Sequence, residues 1–364
     1  VLSYSQMNNN MTFRTFLLML GLTGSFSLQA QETKKQPAHI GFTYPVSSNG
    51  KQAALYSNTF SMHALVGVSR SETGVAMAGI SLIIKDSAYG VQMAGISNHI
   101  THMASGVQLA GVVNIMGNSR GLSAAGIANK SADAGVQLAG VTNIARQVKG
   151  FQMAGIVNKA TYTRGQVAGV VNVAGEVNGI QAAGIVNKAT KVKGVQLAGL
   201  VNIADSSDYP IGLVNIIKNG SRFISVSIDE SAIVLASFRS GGRVLYGIVG
   251  LGYNVKTAKS LFATEAGLGA HLLQKGAFSL QAELVSVGMF DFKGGEYYKN
   301  MLRVLPAYAF NKRFSAWAGP SFGYIHTDIQ EAADLVGHPA WQEVRTDGTH
   351  QLAFGITGGI QIKI

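Results

Sequence analysis

The sequence predicts an all-β protein: an antiparallel outer-membrane β-barrel of about 16–20 strands, with a parallel β-solenoid of about 15 residues per coil and a following antiparallel β-domain as the alternative. Three observations carry this reading. A motif returns about every 15 residues between 74 and 220, apolar and polar residues alternate inside each copy, and longer alternating strands fill 221–364. Composition agrees, because charged residues make up 13% of the 364 and glycine 45 of them, against about 25% charged residues in a typical soluble domain. Such a chain hides much of its surface or sets it against lipid.

Residues 1–30 read as a vector-like leader and a signal peptide. Met11 is the expected start, Arg14 the positive n-region, "FLLMLGLTGSFSL" the apolar h-region and "LQA" before Gln31 the cleavage site. Residues 31–73 are an N-terminal β segment holding "HIGFTYP" and "TFSMHALVGVS". The chain has no cysteine, so stability rests on packing and hydrogen bonds, and thiolate chemistry is excluded. Beyond the leader there is no run of 18 apolar residues, so helical membrane spans are not expected.

The repeat region, 74–220, is traced by Asn98, Asn114, Asn129, Asn143, Asn158, Asn172, Asn187, Asn202 and Asn215, and by Gln92, Gln108, Gln137, Gln152, Gln181 and Gln196. In the copy at 135–145, Val136, Leu138, Gly140, Thr142 and Ile144 share one face, and Gln137, Ala139, Val141, Asn143 and Ala145 the other. In a barrel the first face meets lipid and the Gln and Asn series lines the lumen. In a solenoid "VQLAG-VTNIA-RQVKG" divides into three sides, Ala-Gly makes a corner and the asparagines stack as a ladder.

The residue after each Asn alternates between aliphatic and lysine: Ile115, Lys130, Ile144, Lys159, Val173, Lys188, Ile203. Antiparallel strands have a two-copy period automatically, since successive turns lie at opposite rims, and this favours the barrel. Glycine within every copy and the scarcity of aromatics there favour the solenoid.

Residues 221–364 form an antiparallel meander, expected to continue the same barrel, with aromatics near the strand ends at Tyr246, Tyr253, Phe290, Tyr308, Phe310, Phe314 and Trp317. "DIQEAADLVGHPAWQEVRTDGTH", 328–350, is the longest irregular segment and a candidate lid loop, with Trp341, His338 and His350 as the residues to watch. The "GxQxAGxxN" repeat, the upstream "IGFTYPVSSNG" and the hairpin "FSAWAGPSFGY" resemble the uncharacterised repeat-containing surface proteins of Gram-negative bacteria such as Bacteroidota and spirochaetes. That resemblance implies an outer-membrane or cell-surface setting and no activity.

Chemistry-bearing residues are sparse. His99 and His102 are three apart, on opposite faces of a strand, and His338 and His350 share their loop with Asp334, Glu343 and Asp347. The first pair would need a turn between its histidines to share a metal, and the second group could be drawn as a hydrolytic or metal cluster, although any polar loop supplies such residues; no nucleotide, zinc-protease or serine-hydrolase motif is present, and no cofactor is implied. No enzyme is expected. The formal charge of +11 suits outer-membrane lipid or an anionic envelope polysaccharide; without a basic cluster interleaved with aromatics it does not suggest nucleic acid. The main functional expectation is a porin-like passive channel for small polar solutes or a structural envelope component. The alternative is a surface-exposed solenoid adhesin or envelope-polymer-binding protein without catalysis.

Overall fold

Parallel strand pairing replaces the antiparallel pairing expected of the repeat. The computed structural model describes residues 33–256, 262–290, 296–337 and 339–364; the leader and signal-peptide expectation, and His338, lie outside them. The strand Val171–Ala183 pairs in parallel with Val186–Ala198, placing Asn172 against Asn187 and Gln181 against Gln196. The same register runs on to Val201–Ile211 and back to Val157–Ala168. Each copy is therefore one coil of a solenoid, and its partners are the coils before and after it. Such coils already stack at Tyr56–His63 on Ser71–Ala78, upstream of the repeat as read from the sequence. The single 16–20-stranded antiparallel barrel is incorrect, and the solenoid alternative describes this part of the chain.

Each coil has three sides. In the coil from Val186, Asn187 and Ala189 point inward from the first, Val192 from the second, Gln196 and Ala198 from the third, and all five are buried. The residues between them, Lys188, Lys191, Lys193 and Leu197, are exposed. The polar face assigned to a wet lumen is thus the dry interior, and the apolar face assigned to lipid is the outer surface of the solenoid.

Two physical facts account for the misleading signals. Lys130, Lys159 and Lys188 lie in one column of the sheet, interleaved with Ile115, Ile144, Val173 and Ile203. Coils stack about 4.8 Å apart, so lysines on successive coils would repel, whereas an aliphatic between them doubles the spacing and packs against their methylene stems. The alternation is a charge-spacing device of a parallel column. The corner glycine is steric: a Cβ on Gly155 would lie 2.2 Å from the carbonyl oxygen of Gly140, and one on Gly140 2.1 Å from that of Gly126.

From Ser221 the pairing becomes antiparallel. In a nine-stranded sheet, the strands from Ser221–Ile228 through Phe314–Thr327 follow one another, and Gly348–Lys363 closes the ring by pairing with both Phe314–Thr327 and Ser221–Ile228. Eight strands thus make a small barrel, and Trp341–Arg345 is an extra strand on Gly348–Lys363. The stretch "RFISVSIDESAIVLASF" is two of these strands. Asp229 Oδ1 accepts the backbone N–H groups of Ser231 and Ile233, both at 3.0 Å, and turns the chain there. Of the aromatics expected at strand ends, Tyr246 and Trp317 instead point into the barrel and are buried.

The barrel covers the end of the solenoid. Asn215 on the last coil receives a backbone carbonyl and a hydroxyl from the first barrel hairpin: its N–H donates to Ser240 Oγ at 2.9 Å and its Nδ2 to Ser240 O at 3.1 Å.

Gly155→Ala should lower stability by about 2 kcal/mol or more, through overpacking against backbone that cannot yield. Gly337→Ala, where a Cβ meets nothing within 4 Å, should be nearly neutral. Urea denaturation of the two variants measures the difference, and equal midpoints would contradict the stacked corner.

Candidate functional site

The residues predicted to line a lumen or form a ladder form two ladders. Along the first, each asparagine Nδ2 donates to Oδ1 of the asparagine one coil later: Asn98 to Asn114 at 2.8 Å, Asn129 to Asn143 at 2.9 Å, Asn143 to Asn158 at 3.0 Å, Asn187 to Asn202 at 3.1 Å and Asn202 to Asn215 at 2.9 Å. The remaining links, Asn114 to Asn129, Asn158 to Asn172 and Asn172 to Asn187, are alike. The second hydrogen of each amide goes to a backbone carbonyl, as from Asn143 to Met153 O at 2.7 Å. All nine asparagines are fully buried.

The glutamine ladder runs the other way. Gln152 donates back to Gln137 at 2.8 Å, Gln181 to Gln166 at 3.0 Å, Gln196 to Gln181 at 3.0 Å and Gln108 to Gln92 at 3.1 Å. Gln166, one residue short of the expected spacing, is a full member. Between Gln108 and Gln137 the rung is Ser123, whose hydroxyl donates to Gln108 Oε1 at 3.4 Å, and Gln137 turns to Ser131 Oγ at 3.1 Å. The ladder ends follow from these directions. Asn98 faces Leu82 on the preceding coil and Gln196 faces Pro210 on the next, and Asn98 Oδ1 and Gln196 Oε1 are the acceptors left without partners.

With the amides between these two ends spent on their neighbours, what the solenoid presents is its outer columns. One is the lysine column, Lys130, Lys159 and Lys188. The five acids of the repeat are engaged elsewhere: Asp86 with Arg70 at 4.0 Å, Asp133 with Arg146 at 2.9 Å, Glu176 with Lys193 at 3.4 Å, Asp205 with Lys218 at 2.6 Å, and Asp208 accepting the Gly194 N–H at 3.1 Å. Among the described residues the three column lysines have no acidic partner. A second feature is an open trough of about 950 Å³ along the Ala-Gly corner, floored by Ala139, Gly140 and their equivalents and walled by Met93, Leu109, Leu138 and Met153. Its lining is mainly apolar, with His63 at one end.

The barrel interior is filled by side-chain ion pairs. Arg239 Nε contacts Glu283 at 2.9 Å, Arg303 contacts Glu265 at 2.6 Å, and Lys299 contacts Asp229 at 2.8 Å and Glu230 at 2.5 Å. Ala332, Leu335 and Val336, from the segment expected to be a lid loop, pack into the apolar part of the same core. The cavity beside Arg239 and Tyr246 is about 10 Å³, room for a single water. The porin-like channel is therefore overturned.

The rest of the lid expectation divides. Trp341 is 41% exposed on its hairpin strand. His350 is buried: its Nδ1 lies 2.6 Å from Tyr324 Oη and its Nε2 3.1 Å from Asp347 Oδ1. His326, which the sequence reading missed because it lies 24 residues away on the neighbouring strand, faces His350 in register. Ligand atoms of His326, Asp347 and His350 come within 4.8 Å of one another, yet both His350 nitrogens already fasten the hairpin. His102 Nδ1 is 3.3 Å from Asp86, and His99 Nε2 is 3.1 Å from Ser97 Oγ.

At the N-terminal end the ladders give way to a titratable cluster. His39 Nε2 meets Ser47 Oγ at 3.0 Å, Asn58 Nδ2 donates to Glu72 Oε1 at 3.1 Å, and the His39 and His63 rings stand 4.5 Å apart. Burial, then the charge of His63, pushes His39 down to about 4, and burial raises the Glu72 carboxyl.

Compared with known proteins, the chain matches no family model, no curated protein and no solved structure. What stands of the resemblance is the periodic β-solenoid repeat itself.

Asn143→Ala strips an acceptor from Asn129 and a donor from Asn158, and should cost about 2–4 kcal/mol. Leu138→Lys, on the outer surface, should cost under about 1 kcal/mol, since its stem still covers the trough wall. Thermal unfolding compares them, and equal losses would contradict the ladder. The N-terminal titratable cluster makes a separate prediction. The unfolded chain protonates His39 near 6.5 and the folded one near 4, so His39's contribution to stability is full above pH 6.5 and is lost as pH falls toward 4. Glu72, with its value raised, opposes this. In a Glu72→Gln chain the acid loss should be plain, and adding His39→Gln should shrink it. Denaturant midpoints at pH 7 and 4.5 test this, and unchanged pH dependence would contradict it.

Proposed function

We propose that the chain is a non-catalytic envelope protein, in the outer membrane or at the cell surface, whose solenoid binds an anionic envelope polysaccharide along its coils. The carrying observation is the column of Lys130, Lys159 and Lys188, exposed, without acidic partners among the described residues and set at two-coil intervals. Two coils span about 9.6 Å, a spacing suited to one charge per disaccharide of an extended acidic glycan. A rigid row gains from polymer binding because each further contact is intramolecular once the first is made. The aliphatic rungs between the lysines give the sugar ring faces an apolar surface. The "GxQxAGxxN" motif and the expected signal peptide support an exported protein of Gram-negative bacteria such as Bacteroidota or spirochaetes.

Replacing Lys130, Lys159 and Lys188 together by glutamine should leave unfolding unchanged, since all three are exposed. It should weaken binding to hyaluronate, which carries one carboxylate per disaccharide, about tenfold or more and flatten the salt dependence, as loss of three screened attractions requires. Calorimetry at 50 and 300 mM salt measures both. Undiminished affinity in the triple variant would exclude the column as the polymer site.

A further inference from the structure

The small barrel has its polarity distributed in a way that water alone does not explain. Along Tyr297–Ala309, the residues Lys299, Met301, Arg303 and Leu305 point inward and are buried, while Tyr298, Leu302, Val304 and Tyr308 point outward and are exposed. The neighbours repeat the pattern. Ser225 and Ser227 face in and Ile224, Val226 and Ile228 face out; Gln281 and Glu283 face in and Leu284 faces out; Thr357 and Gln361 face in and Phe354, Ile356 and Ile360 face out. Arg239, Glu265, Glu283, Lys299 and Arg303 are all buried inside the ring. Among the described residues no charged side chain faces out from the middle of any of the eight strands. Of the outward exposed positions in the strands Phe278–Phe290 and Tyr297–Ala309, Ser286 and Asn300, which pair with each other, are polar and uncharged; a predominantly apolar wall of this extent far exceeds the isolated patches of a water-exposed domain.

The wall has edges. Tyr253, Phe262, Phe290 and Tyr298 lie near one rim, where Tyr253 pairs with Phe262 and Phe262 with Phe290. Phe278, Tyr308, Phe310 and Phe314 lie near the other, where Phe278 pairs with Tyr308. Tyr298 and Tyr308 are ten residues apart on one strand. At about 3.4 Å per residue and a strand tilt of 35–45°, they stand about 24–28 Å apart along the barrel axis, matching an apolar band about 25 Å tall. Beyond the second ring, on the rim nearest the solenoid, Arg222, Arg243, Lys275, Lys312, Arg313 and Lys363 are exposed. The connections at 242–244, 275–277 and 310–313, which carry Arg243, Lys275, Lys312 and Arg313, contain no acid.

We infer that this wall sits in the acyl chains of a bilayer, with the basic rim at anionic headgroups, so that the barrel is a filled lipid anchor for the solenoid. The ionic interior and the uncharged exterior are then one arrangement, with each charge paired on the side away from lipid. The anchor conducts nothing, because its core is occupied, and the repeat strands take no part in it. The inference does not depend on the polysaccharide reading, since it rests on residues of the other domain.

The cysteine-free chain allows a direct test. Leu302→Cys at mid-wall, Lys312→Cys on the basic rim and Val195→Cys on the solenoid are each labelled with an environment-sensitive fluorophore. The full-length chain is then refolded with vesicles of phosphatidylethanolamine and phosphatidylglycerol carrying nitroxide at the acyl chain or at the headgroup. The expected result is loss of most Leu302 fluorescence with acyl-chain nitroxide, loss of most Lys312 fluorescence with headgroup nitroxide, and none at Val195. A chain that stays dispersed without vesicles or detergent and leaves the Leu302 label unquenched overturns the inference. So does one whose Leu302 label is shielded by self-association alone and stays unquenched by lipid.

Discussion

The hydrogen bond between like carboxamides on adjacent coils is the interaction on which the solenoid depends. A parallel, in-register stack sets each inward side chain against its own counterpart about 4.8 Å away, so the side chain must be able to satisfy a copy of itself. A buried charge would repel its copies, and a hydroxyl has one hydrogen to share. A carboxamide carries two donors and an acceptor, which is enough to bond the next coil, accept from the previous one and still satisfy a backbone carbonyl at the corner. Asn143 does all three, toward Asn158, from Asn129 and to Met153 O. The two ladders point their dipoles in opposite directions, so their fields partly cancel along the axis. The remaining inward positions need only be small and apolar, as Ala189, Val192 and Ala198 are.

From that interior the rest of the solenoid follows. Corner backbone must approach corner backbone closely enough to keep the register, so glycine stands there with no Cβ to intervene. Polar capacity is used up inside, which leaves recognition to the outer columns, where lysine and aliphatic alternate because like charges on adjacent rungs would oppose the stacking. A ladder also needs ends. The C-terminal end meets the barrel through Asn215 and Ser240, and the N-terminal end passes into the His39, Asn58 and Glu72 cluster, where ionisable groups replace the amide and introduce a dependence on pH.

The period, the alternation within a copy and the identity of the polar face were legible in the sequence. So were the three-sided division of "VQLAG-VTNIA-RQVKG" and its Ala-Gly corner, stated for the alternative that the structure has. The choice between parallel and antiparallel was not legible. Gln137 inward and Leu138 outward satisfy a barrel strand and a solenoid side equally, and the two-copy period after each Asn comes from charge spacing as readily as from strand reversal. In the C-terminal domain the meander and its rim aromatics could be read, but the ionic interior could not. Arg239 and Glu283 are 44 positions apart and become neighbours only when the sheet closes. The same holds for His326, which belongs with His350 through register alone.

The central claim is that the carboxamide face of the repeat is dry and the aliphatic face is wet, the reverse of a lumen. Single cysteines at Gln137 and at Leu138, probed in the native chain with a water-soluble maleimide and again after denaturation, measure it most directly. The solenoid predicts rapid labelling at Leu138→Cys and protection at Gln137→Cys that is lost on unfolding. Rapid labelling at Gln137→Cys with Leu138→Cys protected would contradict it, and would return the repeat to a wall around water.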